Sequence, residues 1–596
     1  MTQRFQLKAL HDLDSYKLSH PPVFPAGTSY LYANFTPRSD KLSGIPEQFN
    51  DHKLVWLGIQ GTLKEFHLMW KESFFDRPKT EVLTEFAERT LPFTGEPMDL
   101  AHIAALHDLG YLPLSIKALP EGSKVPMQVP VFTIANTHPN FAWLVNNVET
   151  SLSADSWKVT TIATIAHAYR RLLTHYAGET GSPKEFVDWQ GHSFGNRGMS
   201  GNMDAAKNLA GHSLSFLGSD SVSTVDWLEY AYGAKGIFIA GSVPATEHSV
   251  TTLNIANTEI NLAREGVSGN LKKQAENLFI KKTITETYPT GIVSLVADSY
   301  DFFQVISETA ADLKEEILAR KPNAQGLAKV VFRPDSGDPV DILCGLDIPD
   351  LTKDGGSLKE ACKIFLERIV RNEADSTPHG ECGNSEVSGI FYYEGKAYLL
   401  QGYIEWNRHD KQYYYEDGYR TVSCVETVVT PEQKGAVECL WDIFNGTVTE
   451  KGFKVLHERV GLIYGDSITL DRADRIMKRL MKKGFASCNV VLGIGSFTYN
   501  YLTRDNFGFA MKATYGVVNG AWVEIYKDPA TDTNKTKKSA KGLLRVEEEN
   551  GTFVLYDKQA PEQEEQGALG LVYEDGEFYN VESFDTIRGR LVAYST

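Results

Sequence analysis

Seven short apolar runs, each closing on a polar loop, set the rhythm of this chain. Phe186-Val187, Leu214 to Leu217, Gly236 to Ala240, Gly291 to Ala297, Val330 to Phe332, Val460 to Tyr464 and Asn489 to Leu492 read as buried strands. A parallel strand covered on both faces shows continuous rather than alternating hydrophobicity. Helical spacing lies between several of them, as in Ser307 to Arg320 and Asp471 to Lys483. Strands alternating with helices predict a parallel sheet. The expected fold is α/β: an irregular parallel α/β barrel over residues 151–500.

Two regions depart from this rhythm. Residues 1–150, with about 500–596, read as an α+β domain. In it Val131 to Ile134 forms a short strand, and Phe141 to Leu152 carries helical spacing, as does Thr160 to Tyr176 just beyond it. The interval between Phe332 and Val460 is too long for one strand–helix unit. Within it Ile390 to Tyr393, Ala397 to Trp406 and Gln412 to Tyr415 are aromatic-rich and predict an inserted antiparallel β-meander over about 385–430. The tail holds Asn550-Gly551 and Asp575-Gly576, both hairpin dipeptides. Segment 528–541 reads as an exposed loop.

Composition narrows the class. A chain of 596 residues with a formal net charge of −17 is a poor general nucleic-acid or anionic-membrane binder. No run of 18 apolar residues exists, and Met1 to Lys8 has no basic segment leading into an apolar one. The expectation is therefore no membrane span, no signal peptide and a cytoplasmic protein. Six cysteines without a Cys-x-x-Cys pair fit free thiols in a reducing compartment.

The chemistry sits at the ends of the apolar runs. Five close on Ser-Phe-Gly-Asn-Arg-Gly (193–198), Gly-Ser-Val-Pro-Ala-Thr-Glu-His-Ser (241–249), Asp-Ser-Tyr-Asp (298–301), Arg-Pro-Asp-Ser-Gly (333–337) and Gly-Asp-Ser (465–467). Two more end near Gly218-Ser219-Asp220 and Gly493-Ile494-Gly495-Ser496. Barrel active sites are built from loops at the strands' C-terminal ends. Each signature alone also has a plain reading: the glycines as turns, Arg333 and Asp335 as a surface ion pair, His248 as a solvated residue, Phe194 as packing. Their joint placement points to a phosphorylated substrate.

The motifs Asp-Ser-Tyr-Lys (14–17), Ser-Val-Pro-Ala-x-Glu-His-Ser (242–249), Asp-Ser-Tyr-Asp (298–301), Arg-Pro-Asp-Ser-Gly (333–337), Leu-Thr-Arg-Asp (502–505) and Lys-Asp-Pro (527–529) occur in this order. In them the chain resembles the type II phosphoribosyltransferases, and among these the enzymes that act on nicotinamide. The resemblance implies transfer of a phosphoribosyl group from phosphoribosyl pyrophosphate to nicotinamide, with ATP and Mg2+ assisting, in a homodimer with composite sites. The alternatives are a nicotinate phosphoribosyltransferase or a non-catalytic nucleotide-binding homologue.

By the same resemblance Tyr16 and Phe194 sandwich the pyridine, Asp220 accepts from the carboxamide, and Ser294 and Arg333 serve its oxygen. Asp335, Gly465 and Asp466 hold the ribose, while Arg197, Gly495 and Ser496 cradle the 5′-phosphate. Arg38, Arg504, Lys512 and Lys527 face pyrophosphate, and Lys535 the ATP phosphates. His248 is implied as the residue ATP phosphorylates, with Asp298 beside it; no direct metal ligand is assigned. Asp14, Tyr16 and the Arg504/Lys512 pair are implied to reach the partner's site. The chain departs from the family pattern at Ser193, Asn196, Ser467 and Ser496-Phe497, where Asp, Tyr, Gly and a longer glycine run are common.

Overall fold

The computed structural model describes residues 5–376, 384–407, 412–414, 423–465, 467–527 and 540–593. Packing divides the chain into two compact units: Met1–Val243 with Gly465–Asp474 and Val490–Thr596, and Pro244–Tyr464 with Arg475–Asn489. Residues 151–243 therefore cluster with the N-terminal part. The helix Glu149–Thr180 explains this locally. Its Thr164 hydroxyl accepts the Val55 N–H at 2.9 Å, and its Thr160 hydroxyl donates to the Leu57 carbonyl at 2.6 Å.

The first unit contains an antiparallel sheet in the order Ala521–Glu524, Ala510–Val518, Thr28–Thr36, Phe132–Asn136, Leu114–Ala118, Gly570–Glu574, Glu577–Phe578. Phe35 stacks at 5.0 Å on Phe132 and at 5.2 Å on Phe509, all three fully buried. Each such pair contributes about 0.5–1.5 kcal/mol beyond the area it buries. The same unit holds three parallel strands, in the order Gly218–Ser219, Gly191–Ser193, Val490–Ile494. Both tail hairpins form as expected, with Asn550-Gly551 and Asp575-Gly576 at positive φ, as a two-residue turn requires.

The second unit holds three further parallel strands, in the order Val460–Tyr464, Ala328–Arg333, Gly291–Val296, with Ala245 bridged to Ser294 beside the last. The expected meander is present: Lys396–Asn407 pairs antiparallel with Asn384–Tyr393, Gln412–Tyr414 and Ser423–Thr427. Helix Leu358–Ser376, which the strand pattern did not foresee, covers it, and Leu351, Ala361, Phe365, Leu366, Phe391 and Leu400 form its own core.

Some strands lie elsewhere than expected. Phe186-Val187 is helical and the strand follows at Gly191–Ser193. Leu214 to Leu217 leads out of the helix Ala210–Ser213, and the strand is Gly218–Ser219. Gly236 to Ala240 forms no strand, only a bridge from Gly241 to Gly218. Val187, Phe216 and Ile239 are all buried, so the hydrophobic signal was real but marked packing rather than conformation. The helix expected over Ser307 to Arg320 is present, with a π turn at Val305–Thr309 and an interruption at Leu313 before Lys314–Leu318. Among the described residues no helix is long and apolar enough to cross a membrane.

Candidate active site

In the first unit the strand ends build one cluster. Successive residues of a strand alternate faces, so His192 and Phe194 share a side, as do Gly218 and Asp220 on the neighbouring strand. Register sets His192 opposite Gly218. The imidazole tilts against Phe194 with centroids 4.6 Å apart, and its Nε2 lies 2.9 Å from Asp220 Oδ1. The Ser242 hydroxyl donates to the same oxygen. The Asp220 N–H donates to the Ser193 carbonyl at 3.1 Å, tying the two loops together.

The next loop is held just as closely. The Phe194 N–H donates to Ile494 O at 3.0 Å, joining Ser-Phe-Gly-Asn-Arg-Gly to the strand that carries Gly495 and Ser496. Ser496 breaks the glycine run, and its hydroxyl lies where a Cβ on Gly198 would sit. The two residues thus share one space. Tyr499, in the short helix Ser496–Tyr499, is fully buried, and its hydroxyl meets His212 Nδ1 at 2.9 Å. His212 Nε2 donates to Gly218 O at 3.0 Å. Burial pushes His212 down to about 3, so the ring is neutral and links the helix Ser496–Tyr499 to the strand leading to Asp220.

Ser467 takes φ +56, the left-handed region in which glycine is unstrained. Arg472 Nη1 donates to its carbonyl at 2.7 Å and its hydroxyl at 2.9 Å, holding that conformation. The departure from glycine therefore keeps the glycine-like backbone. Gly465 precedes it; Asp466 and Lys535 lie outside the described residues.

The cations expected for pyrophosphate are at this unit's surface. Arg504, Lys512 and Lys527 are exposed, while Arg38 is half-buried with its Nε on Gly508 O at 2.7 Å. Arg197 is exposed in the turn Asn196–Gly198. In the motif Asp-Ser-Tyr-Lys, Lys17 is buried on Glu149 at 2.8 Å and Asp14 accepts the Thr150 hydroxyl at 2.8 Å. Tyr16 between them is 59% exposed. Its ring neighbours His20 and that of Phe194 neighbours His192, so within one chain the expected ring clamp is not assembled.

The second unit carries a separate cluster. His248 opens the helix His248–Arg264. Its Nδ1 is 3.1 Å from the Ser299 hydroxyl and its Nε2 3.5 Å from Asp298 Oδ1. Asp298 Oδ2 accepts the Asp335 N–H at 2.8 Å and the Ser336 hydroxyl at 2.7 Å, clamping the Arg-Pro-Asp-Ser loop. Its Oδ1 is buried without a hydrogen-bond partner. Arg333 ends its strand and donates to the Thr246 carbonyl. Ser294 is 5% exposed and its hydroxyl also has no partner. A buried hydroxyl left unpaired costs about 1–3 kcal/mol.

Among the described residues no three His, Cys, Asp or Glu side chains gather as a metal cage. The sequence reading missed His192, His212, Ser242, Ser299 and Tyr499 as supporting residues. Ser242 and Ser299 lie inside signatures quoted above, and His192 left a trace in its two-residue spacing from Phe194 on one strand face.

Parallel strands whose ends carry an aromatic, carboxylates and glycine loops occur in each unit, and the class of the protein is shown by its family. Residues 189–368 and 415–567 match the Nicotinate phosphoribosyltransferase (NAPRTase) family, and the chain belongs to it. A Nicotinamide phosphoribosyltransferase of Acinetobacter baylyi is 46% identical over 589 residues, covering 98% of this chain and 97% of its own. One of Mycoplasma pneumoniae is 28% identical, covering 89% and 94%. One of Xanthomonas campestris is 27% identical, covering 97% of each.

Proposed function

We propose that this chain transfers the phosphoribosyl group of phosphoribosyl pyrophosphate to the ring nitrogen of nicotinamide, giving nicotinamide mononucleotide and pyrophosphate in NAD salvage. Asp220 carries this reading. A carboxylate fixed beside Phe194 accepts a carboxamide N–H but repels the carboxylate of nicotinate. The identity to relatives named for nicotinamide supports the same substrate.

Breaking the anomeric C–O bond leaves positive charge on the ribose and negative charge on pyrophosphate. Arg38, Arg504, Lys512 and Lys527 are assigned to the leaving group, where cations stabilise developing charge. Asp335 and Asp466, with Gly465, are assigned to the ribose hydroxyls; Arg197, Gly495 and Ser496 to the 5′-phosphate. Ser294 and Arg333 are assigned to the amide oxygen, and the unpartnered hydroxyl of Ser294 supports this. The pyridine nitrogen is already nucleophilic, so the protein chiefly positions it.

ATP is assigned to phosphorylate His248, with Lys535 on its phosphates. The first residue of a 17-residue helix favours an added phosphoryl group, because the helix N-terminus attracts anions. Mg2+, held mainly by phosphate oxygens and water, would neutralise phosphate charge, and Asp298 Oδ1, which makes no hydrogen bond and has His248 Nε2 at 3.5 Å, is a protein oxygen that fits a cation. The exposure of Tyr16 supports a homodimer in which it completes the partner's pocket. Free Cys344, Cys362, Cys424, Cys439 and Cys488 support a reducing, cytoplasmic setting.

The test is a product assay with nicotinamide against nicotinate, with and without ATP. Nicotinamide mononucleotide should form, faster with ATP. Preferential turnover of nicotinate, or none of either substrate, would overturn the reading.

A further inference from the structure

We infer that His192 is a positioning residue that sets both halves of the nicotinamide subsite, the orientation of the Asp220 carboxylate and the face of Phe194. The inference rests on the reaction proposed above and goes beyond it, because that reading assigns no role to His192.

Three observations meet on this ring. Its Nε2 is 2.9 Å from Asp220 Oδ1, the oxygen that also accepts from Ser242. Two donors on one oxygen fix the carboxylate plane, since turning it would break both bonds. The other side of the imidazole lies against Phe194 at 4.6 Å, tilted by 37°. Finally, Gly218 stands opposite His192 in the strand register, and a Cβ there would come within 2.7 Å of His192 Nδ1. Glycine leaves the space that the ring fills. The His192 side chain is only 12% exposed whereas that of Asp220 is 40% exposed, so the histidine is the buried support and the carboxylate the part offered to a ligand.

A substrate amide meets a carboxylate that cannot rotate away and an aromatic face that cannot tip. Both effects concern binding of the ring, not bond breaking. Loss of His192 should therefore appear in the KM for nicotinamide and in discrimination against nicotinate, with little change in kcat.

The experiment measures steady-state kinetics of the full-length protein with each pyridine at saturating phosphoribosyl pyrophosphate. It compares wild type, His192→Ala and His192→Gln, with thermal melts alongside. A hydrogen bond to a charged group is strong enough that His192→Ala should raise the nicotinamide KM by roughly tenfold and lower the nicotinamide-over-nicotinate preference. Its KM for phosphoribosyl pyrophosphate should stay near wild type. His192→Gln, whose amide reaches the same oxygen, should recover most of the affinity. The inference is overturned by an unchanged nicotinamide KM in His192→Ala. It is equally overturned if Gln rescues nothing, or if both substrates' KM values rise together with a lowered melting temperature. A wild-type enzyme that turns over nicotinate instead would remove the reaction reading itself; normal nicotinamide use by both wild type and His192→Ala would remove only the role of His192.

Discussion

The site groups of the two units are held in different ways. In the first unit they are locked by strand register and histidine rings: His192 against Phe194 and Asp220, buried neutral His212 between Tyr499 and Gly218. In the second, loops are held by charge: Asp298 clamps the backbone at Asp335, and Arg333 ties down Thr246. A planar substrate is best recognised by a rigid, pre-set surface. His248, the proposed phosphoryl acceptor, is half-exposed and has polar partners in Ser299 and Asp298. In the proposed reaction the second unit has two tasks, since Ser294 and Arg333 are assigned to the amide oxygen and His248 to energy coupling.

The largest expected effect tests the second unit. His248→Ala should abolish ATP hydrolysis and phosphoenzyme formation, while ATP-independent transfer survives at high phosphoribosyl pyrophosphate. Undiminished, substrate-stimulated ATPase in this variant would remove His248 from that role.

Tyr16 and Phe194 test whether recognition is shared between subunits. Tyr16→Ala and Phe194→Ala should each be poorly active. Mixed under conditions of subunit exchange, they should recover about a quarter of wild-type activity, because one pocket of each heterodimer in an isologous pair carries neither change. No recovery despite demonstrated exchange would mean that each site is built within one subunit.

Asp220→Asn removes the charge but keeps the shape. Preference for nicotinamide over nicotinate should fall by roughly tenfold, as expected for losing a hydrogen bond to a charged group. Wild-type preference would show that the carboxylate does not read the amide.

Gly198→Ala probes the rigidity of the phosphate loop. The new methyl would overlap the Ser496 hydroxyl, and overpacking costs about 1–3 kcal/mol, so the KM for phosphoribosyl pyrophosphate should rise. Adding Ser496→Gly should restore it. An additive double variant would show that the two residues do not share that space.

The smallest effect is at Ser467. Relieving its positive φ with Ser467→Gly should stabilise by about 1 kcal/mol or less, because the loss of the Arg472 contact and greater unfolded-chain freedom offset the strain released. The melting temperature should move little and activity should persist; a collapse of either would mean the serine hydroxyl itself is required.

Much of this was written in local sequence. Asn550-Gly551 and Asp575-Gly576 specify hairpin turns because their own backbone preferences do so. The strands Gly291–Val296, Ala328–Arg333 and Val460–Tyr464 are legible because long apolar runs with β-branched residues have few other uses. The signatures after the first two carry Asp298, Arg333 and Asp335, whereas His248 opens a helix after a run that forms no strand. Tertiary structure alone decided the rest. Burial of Val187 and Phe216 does not say whether the backbone beside them is helix or strand, since both conformations hide a side chain. Nor does any local preference place His192 over Gly218, or the Ser496 hydroxyl in the space beside Gly198. Those neighbours are brought together by strand register and close packing, which depend on every element of the sheet at once.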